Sequence, residues 1–98
     1  MTKAEIVNEI SEKTGVEKVA VQVTVEAFMN AIKENMEKGN NIYLRGFGSF
    51  VVRTRAAKIG RNISTNTEVQ IPAHNIPAFK PAKEFTESVK AKVKVKTA

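Results

Sequence analysis

The spacing of apolar positions changes twice along the chain. Ile6, Val7 and Ile10 make a short apolar face at helical spacing, and Gly15 follows as a stop. Ahead of them, Thr2-x-x-Glu5 has the form of a capping box, with the Thr hydroxyl available to the Glu5 N–H. This predicts a helix over about 3–13. A second helix is predicted over 18–38, closed by Lys38-Gly39-Asn40. Val25, Phe28, Met29, Ile32 and Met36 share one of its faces. Its first half is ambiguous, because Val19, Val21, Val23 and Val25 alternate as in a strand. No turn residue separates that stretch from the helical part, so it reads as helix.

After Asn40-Asn41 the period becomes two. Ile42 and Leu44 predict a short strand, and Arg45-Gly46-Phe47-Gly48 a turn or bulge. Ser49 to Lys58 reads as a strand with Phe50, Val52 and Thr54 on one side and Val51, Arg53 and Arg55 on the other. Gly60 to Asn66 reads as a loop tip, and Glu68 to Ile71 as the returning strand. Pro72 and Pro77 cannot donate to a ladder, which makes this returning limb an edge or ribbon. Pro81 fits the first turn of a last helix over about 82–92, with Phe85 and Val89 facing inward. Phe47, Phe50 and Phe79 read as core. The predicted class is α+β: two N-terminal helices, a three-stranded antiparallel sheet with a long protruding β-ribbon arm, and a C-terminal helix. A two-stranded ribbon is marginal alone in water, so a partner is expected to order it.

Charge sharpens this picture. The 98 residues carry a net charge of +6, and every acid is Glu. Residues 1–44 hold five Lys and seven Glu, a balance of −2; residues 45–98 hold four Arg and seven Lys against three Glu, a balance of +8. The first half reads as scaffold and the second as a contact surface for an anionic partner, nucleic acid first. Arg53, Arg55, Lys58 and Arg61 fall along the limbs and tip of the ribbon. Arg53 and Arg55 point the same way on a strand, about 6.6–6.8 Å apart, which suits successive phosphates. Ile63 is apolar within a polar tip; it either packs back on its own hairpin or acts as a wedge between base steps.

Other chemistries find little support. There is no Cys, which removes disulfides, thiolate zinc sites, iron–sulfur clusters and Cys nucleophiles. The single His74, beside Asn75, has no second ligand and no nucleophile, and reads as a structural or exposed His. No enzyme, metal or cofactor is expected. No apolar run of 7–15 residues follows Lys3 and Glu5, and none approaches a membrane span, so a cytoplasmic chain is expected. Arg45-Gly46-Phe47-Gly48-Ser49-Phe50-Val51 half matches an RNA-recognition signature, but Ser49 stands where an aromatic belongs and the element order differs. An RNA or single-strand-binding module is the first rival reading. A protein-interaction or membrane-surface module using the basic Lys/Val tail is the second, though no membrane partner is expected.

Gly46-Phe47-Gly48-Ser49-Phe50, Arg53-Thr54-Arg55-Ala56-Ala57-Lys58, Gly60-Arg61-Asn62, Gln70-Ile71-Pro72-Ala73 and Pro77-Ala78-Phe79-Lys80 together resemble the bacterial HU/IHF histone-like DNA-binding proteins without gaps. The resemblance covers about residues 1–92, with the arm at about 53–76, and leaves 93–98 as a basic tail. It implies an intertwined dimer, with an identical chain or a paralogue, whose two arms lie in the minor groove of duplex DNA. The function implied is architectural and nucleoid-associated: bending and compacting DNA with little sequence specificity, favouring bent, nicked or flexible forms. A sequence-preferring IHF-like bending factor is the alternative within the family. Carried over by position, Arg53, Arg55, Lys58, Arg61, Asn62, Ile63 and Thr65 are arm contacts, and Lys3, Lys18, Lys80 and Lys83 are phosphate contacts of the body. The family tip usually reads Arg-Asn-Pro-x-Thr-Gly; here Ile63 replaces the wedge proline and Asn66 the turn glycine. Ile still offers an apolar wedge but loses the fixed φ of Pro, and Asn tolerates a left-handed turn, so bending is expected to persist.

Overall fold

The computed structural model describes residues 1–62, 64, 65 and 67–95. The predicted order of elements is present. Helix α1 spans Lys3–Thr14 and α2 spans Lys18–Glu37; strands β1 (Ile42–Leu44), β2 (Gly48–Arg55), β3 (Lys58–Asn62), β4 (Thr67–Ile71) and β5 (His74–Pro81) follow, then α3 (Lys83–Lys92). The Thr2 hydroxyl oxygen accepts the Glu5 N–H at 3.3 Å, so the capping box opens α1 as its residues dictate. Gly15 closes it, donating its N–H to the Ser11 carbonyl at 3.0 Å.

The alternating valines lie in helix α2. The helical period sorts them: Val21 is buried at 5% exposure and Val25 half-buried one turn on, while Val19 and Val23 stand exposed on another side. The three-stranded sheet has the order β1-β2-β5, with β5 at an edge, where the missing N–H groups of Pro77 and Pro81 cost least. The register pairs Phe50 with Phe79, Arg53 with Ile76 and Arg55 with His74. The arm continues as a separate two-stranded sheet in which Lys58 pairs with Ile71 and Arg61 with Glu68.

Four expectations need correction. The strand expected over 49–58 breaks at Ala56 and Ala57, opposite the break at Pro72 and Ala73, where proline supplies no donor. Pairing reaches Asn62 and resumes at Thr67, so the tip is shorter than the 60–66 loop expected. Pro81 does not enter the last helix: it pairs with Gly48 at the end of β5, and Ala82 is the N-cap. Finally, the phenylalanines form a cluster but not a sealed core. Phe47 lies 5.2 Å from Phe79 and 5.5 Å from Phe85 between ring centroids, and Phe50 lies 4.9 Å from Phe79. Yet Phe47 and Phe79 keep 45% and 40% exposure, and Val89, expected inward, is exposed as well.

The buried apolar side chains among the described residues are Val7 and Val21. The radius of gyration is 19.0 Å, against about 13 Å for a compact chain of this length. One copy therefore leaves much of its apolar surface open, an arrangement that calls for a covering partner.

Two glycines are dictated by the β1–β2 turn. Gly46 holds φ +80°, a conformation that L side chains rarely adopt. Gly48 is buried where a Cβ would stand 2.6 Å from both the Lys80 carbonyl oxygen and the Phe79 ring. Gly48→Ala is expected to destabilise the fold by about 1–3 kcal/mol through this overpacking. Thermal unfolding followed by circular dichroism checks it; an unchanged midpoint would mean that the β2–β5 pairing opens without cost.

Candidate nucleic-acid interface

The arm cations are positioned by the two ladders. Arg53 and Arg55 project from one face of β2, two residues apart, on its exposed outer end. Lys58 and Arg61 lie in β3, three residues apart, so alternation sends them to opposite faces of the ribbon. All four belong to the outgoing limb, which corrects the expectation of cations on both limbs. The returning strand β4 instead carries Glu68, directly opposite Arg61. No ion pair holds an arm cation among the described residues; the pairs there are Lys3–Glu26 at 2.8 Å and Glu9–Lys13 at 3.7 Å. The arm thus presents four exposed positive charges that make no ion pair among the described residues.

Polar side chains shape the ribbon. Asn62 accepts the Ser64 N–H on its side-chain oxygen at 3.0 Å, a local turn beside the tip. The Thr65 and Thr67 hydroxyls are 2.6 Å apart. At the base, the Thr54 hydroxyl donates to the Asn75 side-chain oxygen across the ladder at 2.7 Å, a link the sequence reading missed. Strict pairing of Thr54 with Asn75 is the signal that would have found it, once the register is known. Ile63, the expected wedge, and Asn66 lie outside the described residues.

The body residues are more scattered. Lys80 sits in β5 opposite Ser49, and Lys83 opens α3 three residues later; both are exposed. Lys18 opens α2 and is exposed. Lys3 is already engaged: its ammonium donates to Glu26 on α2. That hydrogen bond and the lysine's charge hold the Glu26 carboxyl below its usual range, against a smaller opposing effect of desolvation. A phosphate at Lys3 has to compete with this carboxylate. The pair is exposed and therefore weak, so the exchange is feasible.

Other site chemistry is sparse. Among the described residues no cluster of three or more His, Asp or Glu could hold a metal, and no helix is long and apolar enough to cross a membrane.

Comparison with known proteins agrees with this geometry. The chain matches the family model described as bacterial DNA-binding protein over residues 1–90. It is 43% identical over 90 residues to DNA-binding protein HU of Geobacillus stearothermophilus, covering 92% of this chain and all of that one. It is 45% identical over 92 residues to the SPbeta prophage-derived DNA-binding protein HU 2 of Bacillus subtilis (strain 168), covering 94% of this chain and all of the other. Among solved structures it is similar to Anabaena HU in a cocrystal with DNA, with a TM-score of 0.87 and 40% identity over 91% of this chain and 97% of that one. A ribbon of unpaired arginines and lysines on a small α+β body, and a family match over nine-tenths of the chain, lead to one conclusion: the chain belongs to the bacterial DNA-binding protein family that includes HU.

Proposed function

We propose that this chain is a non-enzymatic, nucleoid-associated architectural protein that grips duplex DNA in the minor groove with its arms, bending and compacting it with little sequence preference. The observation that carries the reading is the arm itself: the exposed outer end of β2, with Arg53 and Arg55, runs on into the two-stranded β3–β4 ribbon, with Lys58 and Arg61, and none of the four makes an ion pair among the described residues. Such an element gains its order from a partner, and a polyanion supplies the matching charge. The fold's likeness to an HU crystallised with DNA supports the same partner. Arg53, Arg55, Lys58 and Arg61 contact phosphates and groove walls, Asn62 and Thr65 hydrogen-bond at the tip, and Lys18, Lys80, Lys83 and, after leaving Glu26, Lys3 hold flanking phosphates. Two copies, whose open phenylalanine faces cover each other, bring two arms to one duplex. The binding domain spans 1–92, and the basic residues from 93 onward add phosphate attraction.

Ile63 is the wedge. An apolar side chain inserted between base steps kinks a duplex by about 20–90°, so DNA that is already flexible costs less to bind. Fluorescence anisotropy at about 0.1 M salt should therefore show tighter binding to a nicked duplex than to an intact one of the same sequence. In the same assay Ile63→Ala should reduce the bend, read by energy transfer between the duplex ends, more than it reduces affinity. Equal binding to both duplexes, with an unchanged bend in the variant, would leave a protein that coats DNA without kinking it.

A further inference from the structure

We infer that His74 is a proton-gated phosphate contact at the base of the arm, an inference that rests on the DNA-binding reading above. Three observations place it there. His74 opens β5 directly opposite Arg55, so their side chains leave the same face of the ladder, with Arg53 on the diagonal. The ring is exposed. And its Nδ1 lies 3.0 Å from the carbonyl oxygen of Pro72.

The last contact fixes the chemistry. A carbonyl oxygen only accepts, so Nδ1 must carry the hydrogen. In the neutral ring Nε2 is then a bare acceptor, which repels a phosphate oxygen. When the ring takes a second proton, Nε2 becomes a donor with a full positive charge behind it, which attracts one. Pro72 thus holds the ring in an orientation where a single proton switches the free nitrogen from the wrong polarity to the right one.

Among the described residues the ring's hydrogen-bond partner is the Pro72 carbonyl. Strands β2 and β5 contain no carboxylate at all; the charged groups on them are Arg53, Arg55 and Lys80. The adjoining ribbon adds Lys58, Arg61 and one acid, Glu68, which sits opposite Arg61 six residues before His74. A phosphate laid against this face meets two guanidiniums and, at low pH, an imidazolium N–H. Histidine is the side chain whose charge ordinarily changes within the pH range of a cell. The sign follows from linkage: if the charged ring favours the complex, binding takes up a proton and tightens as pH falls.

The test is binding of the full-length protein to one duplex at about pH 7.5 and about pH 5.5 at fixed salt, for wild type, His74→Gln and His74→Lys. Wild type should bind about three- to tenfold tighter at the lower pH. Its salt slope should steepen by up to about 0.9 per arm. His74→Gln should lose both responses, and His74→Lys should bind tightly with no response at either pH. An equal pH response in wild type and His74→Gln overturns the inference while leaving DNA binding intact. No binding by wild type at either pH overturns the DNA-binding reading itself and this inference with it.

Discussion

Affinity for duplex DNA should fall by about 10³–10⁵ as salt rises from 50 to 200 mM, in proportion to the roughly 6–10 phosphates the protein neutralises. The physical cause is release of condensed counterions when cations of the protein replace them. The arm cations suit that role because Arg53, Arg55, Lys58 and Arg61 are exposed and make no ion pair among the described residues. A plot of log affinity against log salt should be linear, and each lost phosphate contact should flatten it by about 0.9. Arg61→Ala should remove about 0.9 of slope per arm and weaken binding alike on every sequence, since a phosphate contact carries no base information. Lys3→Ala should flatten the slope less, because Glu26 already occupies that ammonium at 2.8 Å and a carboxylate must be released for each phosphate gained. Anisotropy titrations over a salt series check both. A slope unchanged by Arg61→Ala would take the arm out of the interface, and a strong sequence dependence of the loss would point to base reading instead.

How much of this was legible beforehand depended on whether a residue's role is local. Thr2 and Glu5 cap α1 through their own backbone, so four residues of sequence suffice to see it. The class, the order of elements and the basic ribbon follow likewise from periodicity, from the prolines of the returning limb and from the gathering of arginine between 45 and 61. Pairs distant in sequence were not visible. Lys3 and Glu26 are 23 residues apart and meet only because α1 packs on α2. Arg55 and His74 share a face only because the β2–β5 register places them opposite, and that register cannot be counted while the break at Ala56 and Ala57 is unknown. Pro81 suits a helix start and a sheet edge equally well, and the sequence does not say which neighbour it has. The phenylalanines are the most instructive case. Their apolarity was read correctly as a wish for burial; what covers them is not written in the pattern of one chain.

That cover is the basis of the second large effect: unfolding should depend on protein concentration. Phe50, Val52, Ile76 and Pro77 on the sheet and Ile32 and Met36 on α2 line an open apolar groove, and Val7 and Val21 are the buried apolar side chains among the described residues. On the two-copy reading proposed above, a fold so thin gains its margin when a second copy fills the groove, and the folded state is then a two-chain species. By mass action a hundredfold rise in chain concentration stabilises such a dimer by about 2.7 kcal/mol. At about 2–4 °C per kcal/mol for a folded unit of this combined size, the midpoint should rise by about 5–10 °C between roughly 1 and 100 μM. Phe50→Ala removes an aromatic ring that touches Phe79 at a centroid distance of 4.9 Å and borders the groove. Truncating a phenylalanine in a sealed interior costs about 3–5 kcal/mol, a large fraction of the 5–15 kcal/mol that holds a small protein folded. The variant should therefore be largely unfolded at low concentration and recover helicity as concentration rises, seen in circular dichroism melts paired with sedimentation. A midpoint independent of concentration, with Phe50→Ala costing less than about 1 kcal/mol, would mean that a single chain folds alone with its phenylalanines half in water. The two-armed grip would then lose its foundation, because each duplex would meet one arm at a time.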